Sequence, residues 1–302
     1  MDEYNKKCKI AAVVVTYNRL VLLQACINSL RNQTHKLDEI IVVNNSSTDG
    51  TLDWLNSQKD LTVITQENRG GAGGFQTGIK TASEKGFDWI WCLDHDIIPN
   101  VDALSYLIHS DVLGDPMAGF LSSIVLDEMN NPVPINIPQF DNNYNVIKGL
   151  YSWNVIPIIC CSFSSVLLNS KVVKKIGLPF EDFFVWGDDS EYTLRIIEKG
   201  YKGYLIPKSF VIHKDSIITS DPFVELDIKS YKLKYGLRNF FYVNKLKNRI
   251  LYKSTTRAWI SSFYFYFKVL KGRFSKKGIK YIAEVLVIIQ LIIQGIFFKP
   301  KK

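Results

Sequence analysis

The chain has no purely apolar stretch of 18 or more residues, which excludes a conventional multi-spanning membrane protein. A secretory leader is not expected either. Met1 to Lys9 is polar, and the Ile-Ala-Ala-Val-Val-Val run behind it ends in Thr16-Tyr17-Asn18-Arg19, without a small-residue cleavage site. Cysteine is scarce: Cys8, Cys26, Cys92, Cys160 and Cys161 are odd in number and lack metal-type spacing. A reducing, cytosolic compartment and no disulfide framework are therefore expected. Neither Gly-Lys-Ser/Thr nor Gly-x-Gly-x-x-Gly occurs, which disfavours a P-loop enzyme and a dinucleotide dehydrogenase. Internal repeats and low-complexity linkers are also missing.

What is there is an ordinary globular balance: 302 residues, 47% hydrophobic and 22% charged, with room for one large domain or two small ones. The charge is unevenly placed. Residues 229–302 hold 18 of the 37 lysines and arginines and one acid, Glu284, so the preceding body is net acidic. Such a tail needs an anionic partner, nucleic acid or membrane surface. It interleaves its charges with Trp259 to Phe267 and with Val285 to Phe298. Aromatic residues beside Lys and Arg suit a lipid headgroup boundary. Stacking on bases usually needs a sheet or groove to present them, so no nucleic-acid partner is expected. Tyr281 to Phe298 is short and interrupted by Glu284, Gln290 and Gln294. It reads as an in-plane helix closed by Lys299, Lys301 and Lys302. Helices packed on the body, or forming a homo-oligomer interface, are the alternative.

Along the chain, Ile10 to Val15, Glu39 to Val43, Leu61 to Thr65 and Phe87 to Leu93 read as strands, the first two continuous apolar runs as in buried parallel sheets. Helical spacing separates them: Leu20 to Asn32, Thr51 to Gln58, and a segment opened by Gly70-Gly71-Ala72-Gly73-Gly74 that runs to about Lys85. This alternation predicts an α/β sheet wound in the Rossmann manner, with ligands at the carboxyl ends of the strands. The middle, Val101 to about Ser170, is less regular. Asn130 to Gln139 carries three prolines and reads as a loop or edge strand. Ile156 to Leu168 is a β-rich run, Lys171 to Ile176 and Asp189 to Lys199 are helices, and Tyr204 to His213 is a strand. Beyond about Lys229 the chain reads as helical.

Four constellations carry chemistry. Asp94-His95-Asp96 ends an apolar strand, and carboxylates spaced i, i+2 on extended chain point to the same side. Such a pair can hold a hard divalent cation; two solvated turn acids are the plainer reading. The Gly70–Gly74 segment lets a backbone approach a ligand and offers N–H groups to phosphate, or it is a flexible loop. Trp186-Gly187-Asp188-Asp189-Ser190-Glu191 puts three acids at a helix start. Adjacent carboxylates repel, so one can keep a raised pKa and act as a base. Helix capping explains Asp188 or Asp189 equally. His213 ends a strand, where a histidine is more often a surface or core residue than a ligand.

Taken together, these pieces resemble the family 2 glycosyltransferases of the GT-A fold. The matching stretches are Val13 to Arg19, Val42 to Thr51, Asn68 to Phe75, Asp94 to Asp96 and Asp188 to Tyr192, in the family's order over roughly residues 8–215. The glycine segment, the Trp186–Tyr192 stretch and Arg238-Asn239 look most like the galactofuranosyl- and rhamnosyltransferase branch. The resemblance implies a mostly parallel sheet flanked by helices, with a basic helical C-terminal extension. It implies a catalytic body over 1–228, with a nucleotide-binding half 1–100 and an acceptor-side half 101–228, followed by a membrane-associating region 229–302. Thr16, Tyr17, Asn18 and Arg19, with Asn44, Asn45, Asn68, Gly70, Gly71, Gly73, Gly74 and Asp94, would hold the nucleotide-sugar. The family usually has Asp-Asn where this chain has Asn44-Asn45; Asn44 keeps an acceptor oxygen for a base N–H but loses the charge. Asp94, Asp96 and His213 would bind a divalent metal, Mn2+ or Mg2+. Asp189 would be the general base beside Asp188, with Trp186 and Glu191 toward the acceptor. The implied activity is inverting transfer of a sugar, galactofuranose or rhamnose favoured, from a UDP- or dTDP-sugar to a hydroxyl of a lipid-linked glycan; a transferase of another UDP-hexose, or a catalytically inactive nucleotide-sugar-binding relative, is the alternative. The implied location is peripheral, on the inner face of the cell membrane.

Overall fold

A computed structural model describes residues 8–140, 154–215, 222–277 and 282–301. Met1 to Lys7, Tyr281 and Lys302, which entered the sequence reading, lie outside them. The first half alternates as expected: β1 (Ile10–Thr16), α1 (Leu20–Arg31), β2 (Glu39–Asn44), α2 (Thr51–Ser57), β3 (Leu61–Thr65), α3 (Gly70–Glu84) and β4 (Trp89–Asp94). There follow β5 (Ile97–Pro99), α4 (Ala103–Ile108), β6 (Ala118–Leu126), β7 (Gln139–Phe140), β8 (Ile156–Cys160), β9 (Val166–Asn169) and α5 (Ser170–Ile176). Then come α6 (Asp188–Glu198), β10 (Lys202–His213), α7 (Pro222–Glu225), α8 (Tyr231–Tyr252), α9 (Thr255–Lys277) and α10 (Ile282–Phe297).

The ten strands among the described residues join one sheet, ordered β3-β2-β1-β4-β9-β6-β10-β8-β7, with β5 on β10. The pairs β1–β2, β2–β3, β1–β4 and β6–β10 are parallel, and β9 runs antiparallel between β4 and β6. Both faces are covered, which is why β1 is apolar from Ile10 to Val15. Ile10, Ala12 and Val14 pack with Leu23, Ile27 and Leu30 of α1 and Leu104 and Leu107 of α4. Ala11, Val13 and Val15 pack with Phe75 and Ile79 of α3 and Tyr192 and Ile196 of α6. That is the two-residue period of a strand buried on both sides.

The irregular middle contains a nine-residue central strand, β6, whose apolar run is broken by Ser122 and Ser123. Both serines are buried. Ser123 meets the Ser165 and Ser209 hydroxyls at 2.8 and 2.7 Å, and Trp91 Nε1 donates to Ser165 at 3.0 Å. This satisfied hydroxyl chain lets polar residues sit inside the sheet. The Ile156–Leu168 run divides at Cys161–Ser165: β9 inserts between β4 and β6, while β8 pairs with β10.

The basic C-terminal helices pack on one another and on the body. Leu233, Leu237 and Phe241 of α8 meet Tyr266 and Val269 of α9 and Ile288 and Leu291 of α10. Leu246 of α8 packs on Leu194 of α6 and Ile159 of β8. Arg273 is fully buried; it pairs with Glu284 at 2.6 Å and donates to the carbonyls of Phe223 and Leu226.

Candidate active site

Parallel β1, β2 and β4 end together, so Thr16, Asn44 and Asp94 come to the same edge of the sheet. Three buried side-chain atoms among the described residues lack a hydrogen-bond partner: Thr16 Oγ1, Asn44 Nδ2 and Asp96 Oδ1. Unpaired buried polar atoms are costly, and all three fall in this one place. Asn44 differs from expectation in one respect. Its Oδ1 accepts from the Ser47 N–H at 3.0 Å, so the group left for a ligand is the Nδ2 donor, which suits a carbonyl rather than a base N–H.

Several residues assigned to the nucleotide shape its surroundings. Asn18, at φ 51, accepts from the Thr48 N–H at 2.7 Å and ties the β1 and β2 loops together. Asn45 Nδ2 donates to the Gly70 carbonyl at 3.0 Å, and its Oδ1 accepts from Gln66 at 2.8 Å. Asn68 Oδ1 accepts the Gly70 N–H at 2.9 Å and opens α3. Tyr17 is exposed at the rim, and Arg19 lies 3.4 Å from Asp215 in an exposed pair. The glycines split by role. Gly70, at φ +69, has the Phe184 carbonyl where a Cβ would stand, and Gly74 lets α3 close on Val15. Gly73 is crowded by Arg69, whereas Gly71 faces open space. The segment is thus built for close packing as much as for ligand approach.

At the end of β4 the acids cluster. Burial, then the neighbouring Asp96, pushes the Asp94 carboxyl up to about 7. Burial would also raise Asp96, but the His213 imidazole, with Nε2 3.4 Å from Asp96 Oδ2, holds it below the ordinary range. His213 is raised in turn: burial works against the charge, and Asp96 outweighs it. Asn136 Oδ1 faces His213 Nδ1 at 2.9 Å, while Asn136 Nδ2 meets the Ser162 and Ser164 hydroxyls at 2.9 and 2.8 Å. A proton on Nδ1 is thereby held on the Asn136 side, leaving Nε2 toward Asp96. Ser164 Oγ in turn reaches Asp94 at 3.5 Å.

Asp188 and Asp189 open α6 across from this cluster, close enough for Asp189 to raise Asp94 electrostatically. Burial, then Asp189, drives Asp188 well above the usual carboxylate range; Asp189 is raised chiefly by burial. The Ser190 N–H donates to Asp189. Glu191, assigned to the acceptor from sequence, points elsewhere: it is buried and paired bidentately with Arg195 at 2.9 and 3.0 Å. Arg195 also holds the Ile176 and Leu178 carbonyls, so this ion pair is a brace for α6. Trp186 packs against Phe223, with ring centroids 5.5 Å apart. Sequence reasoning missed Asn136 and Ser164; the prolines around Asn136 marked only a loop.

No three His, Cys, Asp or Glu side chains among the described residues form a ready-made metal cage. The donors nonetheless fit a hard divalent cation: an unpaired carboxylate oxygen on Asp96, a second carboxylate at Asp94, and an oriented imidazole at His213.

The sequence profile of glycosyl transferase family 2 matches residues 11–176. The chain belongs to this family. The galactofuranosyltransferase GlfT1 of Mycolicibacterium smegmatis is 28% identical over 205 residues, 63% of this chain and 66% of that protein. The match thus spans just under two thirds of the relative's length. The Escherichia coli UDP-Glc:alpha-D-GlcNAc-diphosphoundecaprenol beta-1,3-glucosyltransferase WfaP is 24% identical over 237 residues, 74% of this chain and 85% of that one. Among solved structures, the mannosyltransferase PcManGT of Pyrobaculum calidifontis, in complex with GDP-Man and Mn2+, superposes with a TM-score of 0.59 at 16% identity, covering 97% of this chain and 85% of that chain. The family 2 chain therefore has the GT-A fold that the sequence motifs implied.

Proposed function

We propose that this protein is an inverting glycosyltransferase that moves a sugar from a nucleoside-diphosphate donor to a hydroxyl of a lipid-linked glycan. The observation that carries the reading is the meeting of Asp94, Asp96, His213 and Asp189 beside the unpaired Thr16 hydroxyl and Asn44 amide. Thr16 and Asn44 offer the nucleotide a hydroxyl and an N–H donor at the strand ends. A divalent cation, Mn2+ or Mg2+, held by Asp94, Asp96 and His213 would neutralise charge on the departing diphosphate. Burial raises both carboxyls of the α6 pair. In this reading Asp189 is the carboxylate that takes the proton of the acceptor hydroxyl, with Asp188 beside it. The hydroxyl oxygen bonds to the anomeric carbon from the face opposite the diphosphate, whose C–O bond breaks. One displacement inverts the configuration and needs no covalent nucleophile.

The names of the relatives support the finer reading. The name galactofuranosyltransferase favours galactofuranose, and in the E. coli name UDP-Glc favours a UDP-linked donor and diphosphoundecaprenol a lipid-linked acceptor; rhamnose from a dTDP-sugar is the alternative that the motif resemblance leaves. No described helix is long and apolar enough to cross a membrane. Trp259, Phe263, Phe267, Leu286, Ile293 and Phe297 are exposed on α9 and α10, among the lysines and arginines of the tail. That mixture supports a peripheral position on the inner face of the cell membrane; self-association through the same face is the competing outcome.

The test is nucleoside diphosphate release from a panel of UDP- and dTDP-sugars, with Mn2+, Mg2+ or EDTA, alone and with membrane lipid extract. Metal-dependent release from one donor, lost in Asp94→Ala and Asp96→Ala, is expected. Release that persists in EDTA, or in both variants, would overturn the assignment of the site.

A further inference from the structure

The turn that delivers Asp188 and Asp189 has an unusual backbone. Phe184 and Trp186, at φ 62 and 64, both occupy the left-handed region that bulky side chains avoid. Such a conformation persists only where the surroundings over-determine it. Here the surroundings are one stretch of α8. Asn239 is fully buried, and its Nδ2 lies 2.9, 3.1 and 2.7 Å from the carbonyl oxygens of Phe183, Val185 and Trp186. Arg238 donates to the carbonyls of Asp182 and Phe183. The Phe184 ring stacks on Tyr235 at 4.6 Å, and the Trp186 indole lies where a Cβ on Gly236 would stand. The same turn reaches the other side of the site: the Phe184 carbonyl accepts the Ala72 N–H at 3.1 Å, at the start of α3.

We propose that Asn239 is a positioning residue for the reaction. Its side-chain amide gathers the carbonyls of Phe183, Val185 and Trp186 and holds the Phe183–Trp186 turn in the conformation that aims Asp188 and Asp189 at the donor site. The inference rests on the reading of Asp189 as the base. It makes the basic C-terminal segment part of the catalytic unit, whatever surface its outer helices contact. An error of about 1 Å in such an aim costs about 100-fold in rate.

The test compares Asn239→Asp, which keeps the shape but removes both donors, with Asn239→Ser, which keeps one. The control is Asn244→Ser in the same helix. Asn244 is also a buried asparagine but bonds the Ala258 carbonyl and the Ser261 and Ser262 hydroxyls of α9. Hydrogen exchange over residues 181–191 is read alongside kcat, donor KM and UDP affinity. Asn239→Asp is expected to lose amide protection in 181–191 and about 100-fold in kcat, with KM and UDP affinity within about twofold. Asn239→Ser should fall between, and is the variant to read if the aspartate does not fold. Asn244→Ser should lower thermal stability yet keep both protection and kcat. Unchanged protection in the Asn239 variants, or equal losses in Asn244→Ser, would overturn the proposal. Turnover retained in Asp189→Asn would instead remove the base assignment, while the exchange data still decide whether Asn239 holds the turn.

Discussion

Replacing Asp94 by asparagine should abolish sugar transfer and make the metal-free protein more stable. Burial and the adjacent Asp96 hold this carboxyl at about 7 in the fold, against about 3.9 in an unfolded chain. Below about pH 4 both states are protonated, and the group costs nothing. As pH rises from 4 to 7, the unfolded state releases its proton while the folded state keeps it, so stability falls. Above pH 7 the penalty is complete: three pH units correspond to about 4 kcal/mol, an upper limit because Asp96 shares the titration. Asparagine has the same shape, cannot ionise and can still meet the Ser164 hydroxyl. The gain should be about 2–4 kcal/mol at pH 8 and close to zero at pH 4. At this chain length 1 kcal/mol is worth about 2 °C, so Tm in EDTA should rise by about 4–8 °C at pH 8 only. Scanning calorimetry at the two pH values decides it. An equal change at both, or a lower Tm at pH 8, would refute the electrostatic account of the site.

Two further outcomes follow from the same geometry. Asn136→Ala removes the partner of His213 Nδ1, and loss of such an orienting group should weaken Mn2+ binding about 10- to 100-fold. Electron paramagnetic resonance of free Mn2+ reads this directly, and wild-type affinity would show that Asn136 does not orient the imidazole. Arg273→Ala strips the buried partner from Glu284 and empties a filled polar site, and should cost about 3–5 kcal/mol. Arg273→Met should cost less, and urea unfolding curves that rank the two in the opposite order would refute the packing argument.

The strands and helices of the first half could be read from sequence because each has one dominant cause. β1, β2 and β4 are buried on both faces, so they are continuous apolar runs, and the polar ends that follow them are the ligand side. β6 was hidden because Ser122 and Ser123 interrupt its apolar pattern: Ser122 donates to the neighbouring Ser123 carbonyl, but Ser123 is satisfied by the distant hydroxyls of Ser165 and Ser209. The split of Ile156–Leu168 into β8 and β9 is a tertiary choice that no local period encodes. In the site, Asp94, Asp96, Asp189 and His213 were legible as residue types at strand and helix ends. Glu191 is paired with Arg195, four residues on and one helical turn away, and sequence cannot tell an acid facing a substrate from one facing such a partner. Asn136 escaped, and Asn239 was singled out only within Arg238-Asn239 and without a role, because their partners lie about 80 and 55 residues away in sequence, at His213 and the Phe183–Trp186 turn.

The central claim is that Asp189 takes the acceptor proton at a site built on Asp94, Asp96 and His213. The most direct measurement is kcat for Asp189→Asn at saturating donor, with UDP affinity measured on the same preparation. The account predicts a loss of about 100- to 10,000-fold in kcat, with UDP affinity unchanged. Turnover within tenfold of the wild type would contradict it.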